Sequence, residues 1–237
     1  METFLVFKVS ICIFATCITN FQLVRYPFSW ITNMREKIIL KSTELFLNFG
    51  FKSVTMDDIA NAIGISKKTI YQNFDNKTKL VEVTTMQLFE LISHGIDCIC
   101  ALNKNPIEEL YDIKRFVMEH LKDEKSSPQY QLQKYYPQIY ATLKQKQFEV
   151  MHECVNENLS RGIKQGLFRN SINVEFITRI YFNSMLAIKD TDLFPLKIFS
   201  MNMLMDNYLE YHLRGICTDK GVAILNQFIT KNQPLIK

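Results

Sequence analysis

Twenty residues, TMDDIANAIGISKKTIYQNF from Thr55 to Phe74, leave little freedom in how the chain folds around them. Thr55 stands three before Asp58, a capping arrangement that opens a short helix through Asp57, Ile59, Ala60 and Ile63. Gly64 stops that helix, and after Ile65 alone Ser66 caps a second one, Lys67 to Phe74. Two helices joined by so short a turn must cross steeply and brace each other through Ile59, Ala60, Ile63, Ile65 and Ile70. The second helix then turns Lys67, Lys68, Thr69, Gln72 and Asn73 outward, all donors or mixed donor–acceptors.

The flanking chain is helical almost throughout, and the expected fold class is all-α. Seven Gly and six Pro among 237 residues are far below the roughly 12% of an average chain. That is too little punctuation for a sandwich, barrel or doubly wound sheet. Ile38, Leu45, Phe46 and Phe49 share a face of a first helix that Gly50 ends. Asp75 is placed to cap a fourth helix running from Asn76 through Leu80, Leu88 and Ile92 towards Cys98. Asn105-Pro106 opens a helix to about Lys122, residues 123–128 form a polar linker, and a helix from Pro128 breaks at Pro137 before a long one to Gly162. Asn173 caps a helix carrying Ile177 and Tyr181, a long helix is expected from about Pro195 to Arg214, and a terminal one after Thr218. The expected organisation is a helix-turn-helix domain over 34–80 followed by a larger helical domain over 81–237.

Several chemistries are disfavoured. No three glycines have the spacing of a dinucleotide loop and no two that of a phosphate loop. The four histidines, 94, 120, 152 and 212, form no zincin pair, and Cys98-x-Cys100 is tighter than a zinc knuckle. No cofactor and no metal are therefore expected. His152-Glu153-Cys154 is the best cluster for a helical enzyme, but adjacent residues on a helix point in different directions and cannot form a triad alone, so no catalytic residue is expected. Six scattered cysteines suit a reducing, cytoplasmic setting better than a disulfide frame.

Residues 1–33 stand apart. Residues 4–24 are apolar with Lys8 as the only charge, yet shorter and more polar than a bilayer span and poorly built as a signal peptide. The expectation is that translation starts at Met34 and that 1–33 are an upstream frame read as protein. The alternative is a membrane anchor at 4–24, which would make the chain a tethered regulator.

Charge locates the functional surface. Residues 34–79 hold eight Lys+Arg and five Asp+Glu, whereas residues 80–237 hold 18 of each. Excess positive charge therefore sits on the helix pair, where double-stranded DNA would lie.

The stretch Lys37–Leu80 resembles the DNA-binding domain of the tetracycline-repressor (TetR/AcrR) family of bacterial regulators. The likeness rests on Leu45-Phe46, Gly50, Thr55 with Asp58-Ile59-Ala60, Gly64-Ile65-Ser66, Tyr71 with Phe74, and Lys77 with Leu80. It implies that Thr55 and Lys77 contact phosphates at helix N-termini, that Tyr71 packs against the DNA backbone, and that Lys67, Lys68, Thr69 and Gln72 face bases or nearby phosphates. Ser66 and Asn73 complete the candidate set from their place on the reading helix. Thr55 and Ser66 cap their helices with or without DNA, Tyr71 and Phe74 also serve as anchors, and a lysine pair is often a solvated face. For the carboxy-terminal part the resemblance implies a homodimer formed by the last two long helices, a palindromic operator, and a small-molecule effector that releases a repressor from DNA. Tyr130, Tyr135, Tyr136, Tyr140, Phe148 and the methionines are candidate pocket residues or plain core, so no effector-binding residue is assigned.

Overall fold

The computed structural model describes residues 33–121, 128–190, 192–195 and 197–232. The leader 1–33 up to Thr32, with Cys12, Cys17 and the apolar stretch 4–24, lies outside the described residues, as does linker 122–127. Among the described residues the regular structure is helical: α1 Met34–Phe49, α2 Met56–Ile63, α3 Lys67–Tyr71, α4 Lys77–Ala101, α5 Pro106–His120, α6 Pro128–Tyr135, α7 Pro137–Lys164, α8 Val174–Ala187, α9 Met201–Ile216 and α10 Asp219–Asn232. A single antiparallel bridge joins Phe168 to Cys217. None of these helices is long and apolar enough to cross a membrane.

Local chemistry sets most of the boundaries. Asn33, Thr55, Ser66, Asn105 and Asn173 each accept a backbone N–H from the first turn of the helix they precede, satisfying donors that the helix itself cannot. Three boundaries differ from the sequence expectation. Helix α3 ends at Tyr71, after which Asn73 and Phe74 both donate to the Ile70 carbonyl and turn Phe74 into the core. The fourth helix is capped by Asn76, whose side chain accepts from Lys79 N at 2.8 Å, rather than by Asp75. The ninth begins at Met201: Ser200 is its cap, and the Pro195 carbonyl instead takes the N–H groups of Ile198 and Phe199 in a separate turn.

Two apolar clusters form the interior. The first joins Ile38, Phe46, Phe51, Ile59, Ile70, Phe74 and Leu80 to Leu132 of α6 and Ile139 of α7, so the amino-terminal helices complete their core with residues far along the chain. The second gathers Ile107, Leu159, Phe168, Leu209, Leu213 and Leu225 from α5, α7, α9, α10 and the α7–α8 connection. Helix α4, about 37 Å long at 1.5 Å per residue, packs against α1, α5 and α7 and connects the clusters. Helix α6 clasps the turn after α1. Its Gln131 accepts from Lys52 N at 3.1 Å, and the same amide lies against Gly50, where φ is 83° and a Cβ would collide with it. The Lys52 ammonium sits 5.0 Å from the Tyr135 ring centre.

A buried ionic cluster ties α5 to α7. Glu109, fully buried, accepts from Arg161 and from Asn158 Nδ2 at 2.8 Å, and the same Asn158 amide reaches the Pro106 carbonyl at 3.0 Å.

One buried group makes stability depend on pH. His212 of α9 packs edge-on to Tyr181 at 4.9 Å, and burial pushes its imidazole down to about 4. The unfolded chain protonates this histidine below about 6.5, whereas the folded chain stays neutral until about 4. Its stabilising effect is therefore complete above the higher value and lost as pH falls towards the lower one. Urea unfolding should show a loss of about 3 kcal/mol from this group between pH 7 and 4, and His212→Phe should reduce that slope.

Candidate nucleic-acid interface

The crossing of α2 and α3 is fixed from both sides. Ile59 and Ile70 are fully buried between the helices and α1. Gly64 takes the left-handed conformation, φ 77° and ψ 36°, and its N–H and that of Ile65 both reach the Ala60 carbonyl, at 2.9 and 3.0 Å. That geometry favours glycine because a Cβ would strain it. On α2, Thr55 and Asp58 form a reciprocal capping box: Asp58 N donates to Thr55 Oγ1 at 3.1 Å, and Thr55 N to Asp58 Oδ2 at 2.8 Å. The Thr55 backbone N–H, helped by its hydroxyl, holds the Asp58 carboxyl below its ordinary range.

The candidate residues share this surface in two groups. Ser66, Lys67, Lys68, Tyr71 and Gln72 are exposed along α3 and its ends, with Tyr71 46% accessible despite its large ring. Thr69, Asn73 and Lys77 are half-buried and already engaged. The Thr69 hydroxyl meets Ser66 Oγ at 2.8 Å, Asn73 Nδ2 donates to the Thr69 carbonyl at 2.8 Å, and Lys77 Nζ lies 3.4 Å from the Lys52 carbonyl. Asn73 therefore spends one donor on closing the end of α3. Burial lowers the Lys77 ammonium below its usual range, against the opposing pull of Asp58.

The two lysines opening α3 differ. Lys67 Nζ pairs with Asp57 Oδ2 of α2 at 2.6 Å, a contact in the open that raises its pKa. Lys68 makes no ion pair among the described residues. An exposed pair such as Lys67–Asp57 contributes little to stability, so its lysine is available to a stronger anion.

The family profile for bacterial regulatory proteins of the tetR family matches residues 38–84. Over these residues the chain is similar to the TetR family. The negative regulator IcaR of the biofilm operon icaADBC in Staphylococcus aureus is 31% identical over 94 residues, 38% of this chain and 47% of IcaR. The chain thus spans about half the length of that curated relative. The regulator YvaF of Bacillus subtilis is 24% identical over 192 residues, 79% of this chain and 97% of YvaF. The fold recurs in solved structures. A TetR-family regulator from Agrobacterium tumefaciens superposes with TM-score 0.64 at 16% identity, over 78% of this chain and 97% of that one. SmeT, repressor of the Stenotrophomonas maltophilia efflux pump SmeDEF, superposes at 0.61 with 14% identity, over 79% and 92%.

Sequence reasoning missed a second feature of this chain, a cavity of about 250 Å³ behind the helix pair. Its walls come from α1 and from every helix from α4 to α9, with Phe46 and Phe51 on the side of α2 and α3. Of the candidate pocket aromatics only Tyr140 lines it, joined by Met151, Met185 and Met205. Tyr136 packs in the amino-terminal core, Phe148 meets Phe182 edge-on, and Tyr130 and Tyr135 are exposed beside Lys134. The His152-Glu153-Cys154 cluster disperses: His152 Nε2 pairs with Glu175 Oε2 at 2.7 Å, while Cys154 Sγ faces Cys100 Sγ at 3.3 Å.

Proposed function

We propose that the chain is a one-component transcriptional repressor that binds a palindromic operator as a homodimer and leaves it when a small molecule enters the cavity. Residues 34–80 form the DNA-reading unit, and residues 81–237 the effector and dimerisation unit. The observation that carries this reading is the α2–α3 pair, rigidly braced by Ile59 and Ile70, with Ser66, Lys67, Lys68, Tyr71 and Gln72 open to solvent on one short helix. Such a helix fits a major groove, its lysines meeting phosphates or guanine edges and Gln72 a base edge. Thr55, Thr69, Asn73 and Lys77 support it by capping, by closing α3 or by phosphate contact at the start of α4. The function is regulatory rather than enzymatic, with DNA, a second copy and an effector as partners.

Dimerisation is assigned to the outer faces of α8 and α9. Phe176 and Ile180 on α8 are 59% and 44% exposed, and Tyr211 on α9 is 77% exposed, while the inner faces hold Tyr181, Leu209 and Leu213 in the core. Large apolar side chains in the open on two long helices favour an isologous four-helix contact. A two-fold dimer places its reading helices about one turn of DNA apart. Phe176→Asp should shift the protein to monomer in light-scattering chromatography and weaken operator binding with it, because each half-site then binds alone. A monomeric Phe176→Asp protein with undiminished affinity removes the dimer from the reading. Gel shifts on the DNA upstream of the chain's own transcription unit test the whole, and absence of any saturable specific complex there counts against this reading.

A further inference from the structure

We propose that the cavity takes an amphiphilic anion, a molecule with an apolar body of roughly ten carbon atoms and one anionic head group, and that Lys189 receives the head group. The proposal rests on reading the cavity as the effector site and adds the chemical class of the occupant.

The wall sets the class. It is overwhelmingly aliphatic and aromatic, and among the described residues the charged ones lining it are two lysines, Lys114 and Lys189, with no Asp or Glu. A cation entering would give up hydration and find no carboxylate among the described lining residues, beside two lysines of its own sign. An anion finds the opposite. The two lysines are not equivalent. Lys114 Nζ is already held at 2.9 Å by Asp206 Oδ1, a carboxylate that does not line the cavity. Lys189, just beyond the end of α8 and half-buried, has no ion pair among the described residues. The neighbouring carboxylate is occupied elsewhere: Asp190 Oδ1 accepts the N–H groups of Asp192 at 2.9 Å and Leu193 at 3.3 Å. A half-buried lysine lining an apolar wall gains most from an anion that arrives with a hydrophobic body.

Size limits the body. A cavity of ~150 Å³ accepts a six-carbon ring, so about 250 Å³ accommodates roughly ten carbons by the same proportion.

Calorimetric titration of the full-length protein with decanoate, decanol and decyltrimethylammonium, each below its micellar concentration, tests this. Decanoate should bind at least about 10-fold more tightly than decanol, and decyltrimethylammonium should show no saturable binding. Lys189→Gln should remove the preference for decanoate over decanol while leaving decanol affinity within about two-fold, and Lys189→Arg should keep the preference. Equal affinity for the cationic and anionic probes overturns the class. An undiminished preference in a folded Lys189→Gln protein, or its loss in Lys189→Arg, overturns the assignment to Lys189. Gel shifts on the same preparations separate the two readings. Binding of DNA with no binding of any probe removes the ligand class alone, whereas Lys189-dependent binding of decanoate without DNA binding retains the ligand class and removes the regulator.

Discussion

Replacing Lys67 and Lys68 together by alanine should lower operator affinity by about 10²-fold or more near 0.1 M salt and flatten its salt dependence. Each phosphate contact contributes ~0.9 to the slope of log affinity against log salt. Two lysines in each of two subunits would make up to four such contacts, so the slope should fall by about 3 to 4. The single variants should differ. In the absence of DNA, Lys67 is held by Asp57 at 2.6 Å and must leave it to reach a phosphate, whereas Lys68 has no ion pair among the described residues to give up. Lys68→Ala should therefore be the more damaging, and Asp57→Asn should tighten binding by freeing Lys67 and removing a negative charge beside the DNA. Gel shifts across a salt series measure all four quantities. Lys146→Ala, one charge lost from an exposed position on α7, is the charge-matched control and should leave affinity within about two-fold. Undiminished binding by the double variant would mean that α3 is not the reading helix.

The second large effect concerns stability. Arg161→Met should cost about 3–5 kcal/mol, because it leaves the Glu109 carboxylate buried without its cation. Glu109 has no exposure, and Asn158 is its remaining donor on Oε1. Relief should come from neutralising the acid: the double variant Arg161→Met, Glu109→Gln should recover a large part of the loss, since an amide asks far less of a dry site than a carboxylate. Urea denaturation of the four proteins gives the coupling energy directly. A cost below about 1 kcal/mol for Arg161→Met would show that water reaches Glu109 and that the pair behaves as a surface contact.

What could be read from the sequence follows from how locally each feature is determined. Thr55, Ser66, Asn105 and Asn173 cap their helices as expected because the donor each satisfies lies two or three residues away. The α2–α3 pair was legible for the same reason, its caps, turn glycine and apolar brace all falling within Thr55–Phe74. Where two local signals compete, packing decides. Asp75 and Asn76 are both good caps, and burial of Leu80 and Val81 against α1 selects the later one. Pro195 and Ser200 are both residues that favour a helix start, and the helix begins after Ser200, whose side chain accepts from Met203 N. The cavity was not legible. Its wall draws on residues from Thr43 to Leu209, and the bond between Lys52 and Gln131 joins positions 79 apart. The Glu109–Arg161 pair is equally remote in sequence, and nothing near either residue signals that the other is buried beside it.

Phe46 and Phe51 belong at once to the core that seats the reading helices and to the wall of the cavity. A lineage built on this plan cannot retune the two properties separately there. A substitution that reshapes the chamber at position 46 or 51 also shifts the footing of α2 and α3, so it is tested against the operator as severely as against the occupant. Under the proposed function, variation that diversifies what is sensed is thereby channelled to the far wall, to positions such as Met185 and Met205 on α8 and α9, where side chains face the chamber without supporting α2 and α3. Descendants of such a chain would keep the near wall and drift at the far one, retaining an operator while acquiring new signals.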